Sequence, residues 1–268
     1  MRPSGGPSRC KKASPGGAFF LWVFFCCGPG AGAGTLACPP DRVDEQARVA
    51  WVHDGDTVRL KDGRKLRLIG FNTPELGRDG RPAEPYAKAA RDALKRLLAR
   101  GAIQLRFDFS RRDHYGRTLA HAFDERGRSL AALLLQEGLA TALVIPPDLW
   151  NMACYLKAEK LARQQRKGLW SLPRYQPVPV SRLPRTAEGF HLVKGRIYRI
   201  GESRRHYWLN LDRDVALRVN KDDLDYFGGR KGLFALQGKK VIARGWIYRR
   251  DGDLRIPLRH RADIEIVP

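Results

Sequence analysis

A chain of 268 residues that is 43% hydrophobic can bury one large core or two smaller ones, and it is too apolar to be disordered throughout. Its 50 Lys and Arg against 28 Asp and Glu give a formal net charge of +22, which favours a polyanionic partner, nucleic acid foremost, over an apolar one. Its five cysteines include no C-x-x-C pair and no Cys/His spacing suited to zinc.

The chain opens with Arg2, Arg9, Lys11 and Lys12 and no acid, followed by a continuous apolar run over residues 18–27 and a small-residue stretch over 28–37. This is the order of a secretory signal, and the run is too short to cross a bilayer. Residues 1–37 are therefore read as a leader, with cleavage expected after Ala37 and export to a periplasmic or extracellular space. An uncleaved membrane anchor, lipidation of Cys38 with attachment to the envelope, and a start upstream of the true one stand as alternatives. Past the leader only Cys38 and Cys154 remain, a pair that a single disulfide could join. The chain beyond residue 37 keeps 46 of the 50 basic residues and all 28 acidic ones.

Residues 45–172 carry a mixed pattern. Strands are predicted over 49–60 and 65–70 around Lys61-Asp62-Gly63-Arg64, because Asp-Gly between apolar alternations favours a hairpin. Pro74 stops the second strand, and residues 78–82 form a loop. A helix is predicted over 84–100, with Ala87, Ala90, Leu94, Leu97 and Leu98 on one face and Gly101 as its stop. Residues 102–110 alternate as a strand with Ile103, Leu105, Phe107 and Phe109 on one side, and residues 116–124 are its expected partner. Helices over 129–137 and 152–167 close on Gly138 and on Gly168-Leu169-Trp170. About five strands and three helices fit a twisted β-barrel with helices packed on it.

Prolines 173, 177, 179 and 184 predict a stiff linker over 173–188 and a domain boundary. Residues 189–268 then read as a second, small all-β domain, with strands over 192–200, 207–211, 215–219, 240–248, 254–258 and 264–267. Between residues 190 and 268 it holds 18 basic against 10 acidic side chains. Arg196, Tyr198, His206, Tyr207, Trp208, Trp246, Tyr248 and Arg249 interleave cations with aromatics. That pattern suits base stacking with phosphate contact, or core filling with wetted arginines.

Three stretches in the first unit carry chemistry. Asp54-Gly55-Asp56 offers two carboxylates around a glycine that permits a kink and close ligand approach. Arg67 lies in an apolar strand, where an unpaired charge costs several kcal/mol, and leads into Asn72-Thr73-Pro74-Glu75. Asp56, the amide oxygen of Asn72, the backbone carbonyl of Thr73 and the carboxylate of Glu75 are hard oxygen donors suited to calcium or magnesium. Arg117 follows the turn Asp113-His114-Tyr115-Gly116, and its fork suits phosphoryl oxygens.

With those residues in view, the segment from about Val49 to Trp170 resembles the staphylococcal nuclease (thermonuclease-like) family. The resemblance rests on Asp54 to Val58, Arg67-Leu68, Thr73-Pro74-Glu75, Tyr115-Gly116-Arg117, Gly138-Leu139-Ala140 and Leu169-Trp170, in that order. It implies an OB-fold barrel with three packed helices and calcium-dependent cleavage of DNA and RNA to 3′-phosphate ends. By position, Asp56 and the Thr73 carbonyl would ligate calcium, and Asp54 would act through a water of its shell. Glu75 would orient or deprotonate the attacking water, Arg67 and Arg117 would hold the phosphate, and Tyr115 would contact a terminal phosphate. Two departures stand out. Asn72 occupies the place of a calcium-binding aspartate, so magnesium or another divalent ion becomes an alternative. His114 replaces a lysine near the tyrosine, in a position to contact substrate. The domain from residue 189 resembles an OB-type nucleic-acid-binding module more distantly.

The expected activity is a metal-dependent, sugar-nonspecific endonuclease acting on DNA and RNA. Its rivals are a catalytically weak nucleic-acid-binding protein on the same scaffold, and an envelope module for another anionic polymer.

Overall fold

A computed structural model describes residues 36–77, 80–211 and 214–268, so the expected leader lies outside the described residues except for Leu36 and Ala37. In chain order the first unit runs β1 (Glu45–Val52), β2 (Thr57–Leu60), β3 (Lys65–Leu68), β4 (Phe71–Asn72), α1 (Ala87–Leu97), β5 (Ala102–Arg106), β6 (Thr118–Phe123), α2 (Leu130–Gln136), β7 (Thr141–Ala142) and α3 (Met152–Gln164). β1, β2 and β3 form an antiparallel meander, β3 pairs in parallel with β6, and β5 joins β6 back to β1, closing the barrel. This is the strand order of an OB-fold. Val58, Leu60, Leu66, Leu68, Ile103 and Leu105 fill its interior, each no more than 1% exposed. Every such burial stabilises by about 1.5–3 kcal/mol.

The strand predicted over 49–60 is two strands. The chain reverses after Val52, because the N–H groups of His53 and Asp54 both turn back to the Thr57 carbonyl. Asp54-Gly55-Asp56 is therefore the turn itself. The strand predicted over 102–110 also stops early, at Arg106. The Phe107 N–H is taken by the Asp44 carboxylate and the Trp150 N–H by Asp108, so the chain leaves the sheet and Phe109 ends 80% exposed.

The helices follow their predicted faces more closely. α1 buries Ala87, Ala90, Ala93 and Leu94, and it starts only at Ala87, after Tyr86, which stands at φ 67° in the left-handed region. Ser129 caps α2 by accepting from the Ala132 N–H at 3.3 Å. Past the ends of α2 and α3 the backbone meets itself: the Leu169 N–H donates to the Gly138 carbonyl at 2.8 Å. A Cβ on Gly138 would lie 2.2 Å from the Lys167 oxygen, and one on Gly168 would lie 2.3 Å from the Gly138 oxygen. The Cys38–Cys154 disulfide fastens the entering chain to α3, with Cα atoms 6.0 Å apart.

The second unit comprises β8 (Val178–Pro179), β9 (Gly189–Arg196), β10 (Arg199–Glu202), β11 (His206–Asn210), β12 (Val215–Asn220), α4 (Gly229–Phe234), β13 (Lys240–Arg250), β14 (Asp253–Leu258) and β15 (Ile264–Val267). Its sheet runs β10-β11-β12-β14-β13-β9, with β12 and β14 parallel. β9 and β10 are the halves of one strand predicted as continuous and bent at Ile197-Tyr198. Counted as one, they give the same strand order as the first barrel, with a helix again before the fourth strand. That helix and the 3₁₀ turn over 221–227 were not predicted, because their glycines and aspartates carry no apolar period. The proline-rich stretch after residue 172 packs down, with Tyr175, Val180 and Ala187 buried and β8 paired to β9.

A buried ion pair joins the two units. Arg244 on β13 and Glu159 on α3 are 7% and 2% exposed, and Arg244 Nη2 lies 2.8 Å from Glu159 Oε1. Both partners also hold Ala142: its N–H donates to Glu159 at 2.9 Å, and its carbonyl accepts from Arg244 at 3.1 Å. Breaking such a pair strands a charge out of water. Arg244→Met is therefore expected to lower unfolding free energy by about 3–5 kcal/mol in a denaturant titration. The double variant with Glu159→Leu should cost far less than the two single losses summed; additive losses would show the two side chains to be uncoupled.

Candidate active site

Three segments converge on Asp56: the β1–β2 turn, β3, and the chain leaving β4. The Asp56 carboxylate is 6% exposed. Its Oδ1 lies 2.8 Å from Arg67 Nη1 and accepts from the Thr57 hydroxyl at 3.1 Å. Its Oδ2 accepts from the Thr73 N–H at 2.9 Å and the Thr73 hydroxyl at 3.1 Å. Burial pushes this carboxyl up to about 6, with the Arg67 charge opposing the rise and the Asp54 charge adding to it. Asp54 closes the turn by accepting from the Asp56 N–H at 3.1 Å. Gly55 packs under it, where a Cβ would sit 2.6 Å from Thr73 Cγ2 and 2.8 Å from Ala90 Cβ.

Arg67 is held on several sides. Nη1 also donates to the Leu68 carbonyl at 2.9 Å, and Nη2 donates to Asn72 Oδ1 at 2.8 Å and the Phe71 carbonyl at 3.3 Å. Asn72 in turn donates from Nδ2 to the Thr73 carbonyl at 3.0 Å. The amide thus bridges the arginine and a backbone oxygen, using on protein partners the oxygen that was expected to face a cation. β4 reaches this position because it pairs with β7, placing Asn72 opposite Thr141.

Arg117 is positioned by a residue to which sequence reasoning gave no role. Asp113 accepts from Arg117 Nε at 2.7 Å and from the Arg117 and Tyr115 N–H groups at 2.9 and 3.0 Å. These contacts lock the turn. Their sequence signal is an aspartate four residues before the arginine with glycine between them. Arg67, His114 and Arg117 line one cleft of about 390 Å³, together with Arg112 and, from the second unit, Arg259. Arg259 could not be placed there from sequence, because nothing local links it to the first barrel.

Tyr115 is 73% exposed, stacks near His114 with ring centroids 3.7 Å apart, and does not line that cleft. Glu75 is exposed beyond Thr73. Its backbone is fixed to Glu84 by two hydrogen bonds of 3.0 and 2.9 Å, while its carboxylate makes no hydrogen bond or ion pair among the described residues. It too lies outside the cleft lining.

Among the described residues no three His, Cys, Asp or Glu side chains cluster as a metal cage. The donors that fit a hard divalent cation are Asp54, Asp56 and the Thr73 carbonyl. The two carboxylates repel each other across one glycine, and a cation between them would relieve that repulsion.

The profile of the family described as Staphylococcal nuclease homologue matches residues 65–172. The chain is 36% identical over 137 residues to the thermonuclease of Staphylococcus hyicus, covering 48% of this chain and 77% of that protein. It is 37% identical over 131 residues to the thermonuclease of Staphylococcus intermedius, covering 47% and 76%. Against the endonuclease YncB of Bacillus subtilis (strain 168) it is 35% identical over 127 residues, covering 46% and 60%.

Because a Cβ at residue 55 would overlap Thr73 and Ala90, Gly55→Ala should push the turn away from the Thr73 loop. The expected loss is about 1–3 kcal/mol of stability with a weakened cation response. Thermal melts with and without calcium test this, and an unchanged midpoint would show that the turn yields freely.

Proposed function

The chain belongs to the staphylococcal nuclease family and is a nucleic-acid-hydrolysing enzyme, and from that premise we propose a cation-dependent endonuclease that cleaves DNA and RNA without sugar preference. The observation that carries the reading is the buried Asp56–Arg67 pair, whose arginine also lines the cleft that holds Arg117. Asp56, Asp54 and the Thr73 carbonyl would hold a divalent ion, which would supply charge neutralisation for the phosphodiester. Calcium is the first choice, and magnesium fits as a substitute because Asn72 removes one negative charge.

In this reading the protein's own groups do the rest. Arg117, with Nε held by Asp113, turns its two remaining nitrogens to the phosphoryl oxygens. Arg67 borders the same cleft and strengthens its positive potential where charge grows. Glu75 takes a proton from water as its oxygen bonds to phosphorus. The bond to the 5′-oxygen breaks as that oxygen takes a proton from solvent, leaving a 3′-phosphate and a 5′-hydroxyl. Tyr115 and His114 contact the far side of the substrate. Export through the leader belongs to the same proposal. The Cys38–Cys154 bond supports it, because structural disulfides persist in oxidising compartments.

The test is cleavage of end-labelled single- and double-stranded DNA by the full chain with calcium, magnesium or excess chelator. Cleavage that needs the ion and leaves 3′-phosphate ends is expected; 5′-phosphate ends, or equal cleavage in chelator, would sink the mechanism. Glu75→Gln should slow the reaction about 10²–10⁴-fold with substrate affinity unchanged. Asn72→Asp restores a carboxylate, so calcium affinity should rise by roughly tenfold, measured by calorimetry.

A further inference from the structure

Alternation sorts the second barrel into two faces. Leu209, Leu217, Val219 and Ile256 point into its core and are fully buried. On the opposite face, Trp208 of β11 stands beside Arg218 of β12 and across from Gly201 of β10, and Tyr248 of β13 stands opposite Arg255 of β14. The Arg255 guanidinium lies 4.8 Å from the Trp208 ring centroid, and the Arg218 guanidinium lies 5.5 Å from that of Tyr248. Arg218 Nη1 donates to the Tyr248 hydroxyl at 2.9 Å, while its Nε is buried with no acceptor among the described residues.

Gly201 leaves the indole flank open: a Cβ there would meet nothing nearer than Asn210 Nδ2 at 4.0 Å. His206 borders the other side, 5.5 Å between ring centroids. The β10–β11 turn beside it carries the exposed Arg204 and Arg205. Asp253 and Asp251 approach Arg255 Nη2 only at 3.5 and 3.9 Å, with side chains 49% and 76% exposed, so a phosphate could displace them. Cations set among aromatics on one sheet face repel one another and gain from a polyanion that also offers flat rings.

We propose that this face binds single-stranded nucleic acid, with bases stacked on Trp208 and phosphates held by Arg218, Arg255 and the turn arginines. A duplex keeps its bases stacked on each other and cannot offer the ring face. The family match ends at residue 172, so this site is separate from the cleavage site and is defined by binding alone. Its place is to hold a strand while the first barrel cuts it.

Binding of a fluorescein-labelled 20-nucleotide oligothymidylate to the full chain carrying Glu75→Gln, in chelator, separates this proposal from the cleavage mechanism. Trp208→Ala should weaken single-strand binding about tenfold and leave a duplex of equal length nearly unaffected. Arg218→Gln and Arg255→Gln should each lower the slope of log affinity against log salt by about 0.7. In the Glu75-containing chain, Trp208→Ala should leave cleavage of a dinucleotide unchanged. Photo-crosslinking to the otherwise unaltered Glu75→Gln chain covers a variant that fails to fold: adducts on residues 206–208 or 248 support the site. Adducts confined to the first barrel, or variants that fold and bind like the parent, would overturn it.

Discussion

Asp56 is a carboxylate with almost no access to water, and it stays folded inside because donors from three chain segments converge on it. Arg67 reaches it from β3, Thr57 from the next residue, and Thr73 through both its N–H and its hydroxyl. The barrel makes this convergence available, since closing β3 against β6 fixes where Arg67 points. The same contacts bind the β1–β2 turn to the Thr73 loop. The carboxylate is thus a joint of the fold as well as a chemical group. Its raised proton affinity records the tension of holding charge where solvent cannot reach.

The second barrel is tied to this arrangement through a short chain of contacts. Arg244 and Glu159 clamp the backbone of Ala142, β7 pairs with β4, and β4 presents Asn72 to Arg67. Two units with the same strand order therefore share one buried charge pair one strand away from the chemistry. The proline-rich stretch between them acts as packed wall, with Tyr175 resting against Trp170 and Phe190. Arg259 lines the same cleft as Arg67 and Arg117, so the second unit also borders it.

Much of the fold was legible because its signals were local. The apolar face of α1 and the Asp-Gly hairpin both follow from near neighbours in sequence. What escaped was set by distant partners. The early end of β5 depends on Asp44 and on Trp150, and the burial of Glu159 depends on an arginine 85 positions away. The site shows the same split. Asp113-His114-Tyr115-Gly116-Arg117 looks like chemistry in sequence, yet Asp124-Glu125-Arg126-Gly127-Arg128 folds into the same turn. There, Asp124 accepts from the Arg128 N–H and Nε at 2.9 and 2.7 Å. Only the first copy borders the cleft of Arg67. Five residues specify the turn, and the barrel decides whether it acts.

The contact between Gly138 and Gly168 reaches past this one protein. At this crossing the two helix ends touch main chain to main chain, so no larger residue at either place could be accommodated by a change elsewhere on the surface. Both glycines answer to architecture and neither answers to phosphate chemistry. A descendant that lost every acid and arginine around Asp56 would still be obliged to keep them. Lineages that abandon catalysis can thus go on looking like enzymes at these two positions, while the carboxylates and guanidinia drift unseen.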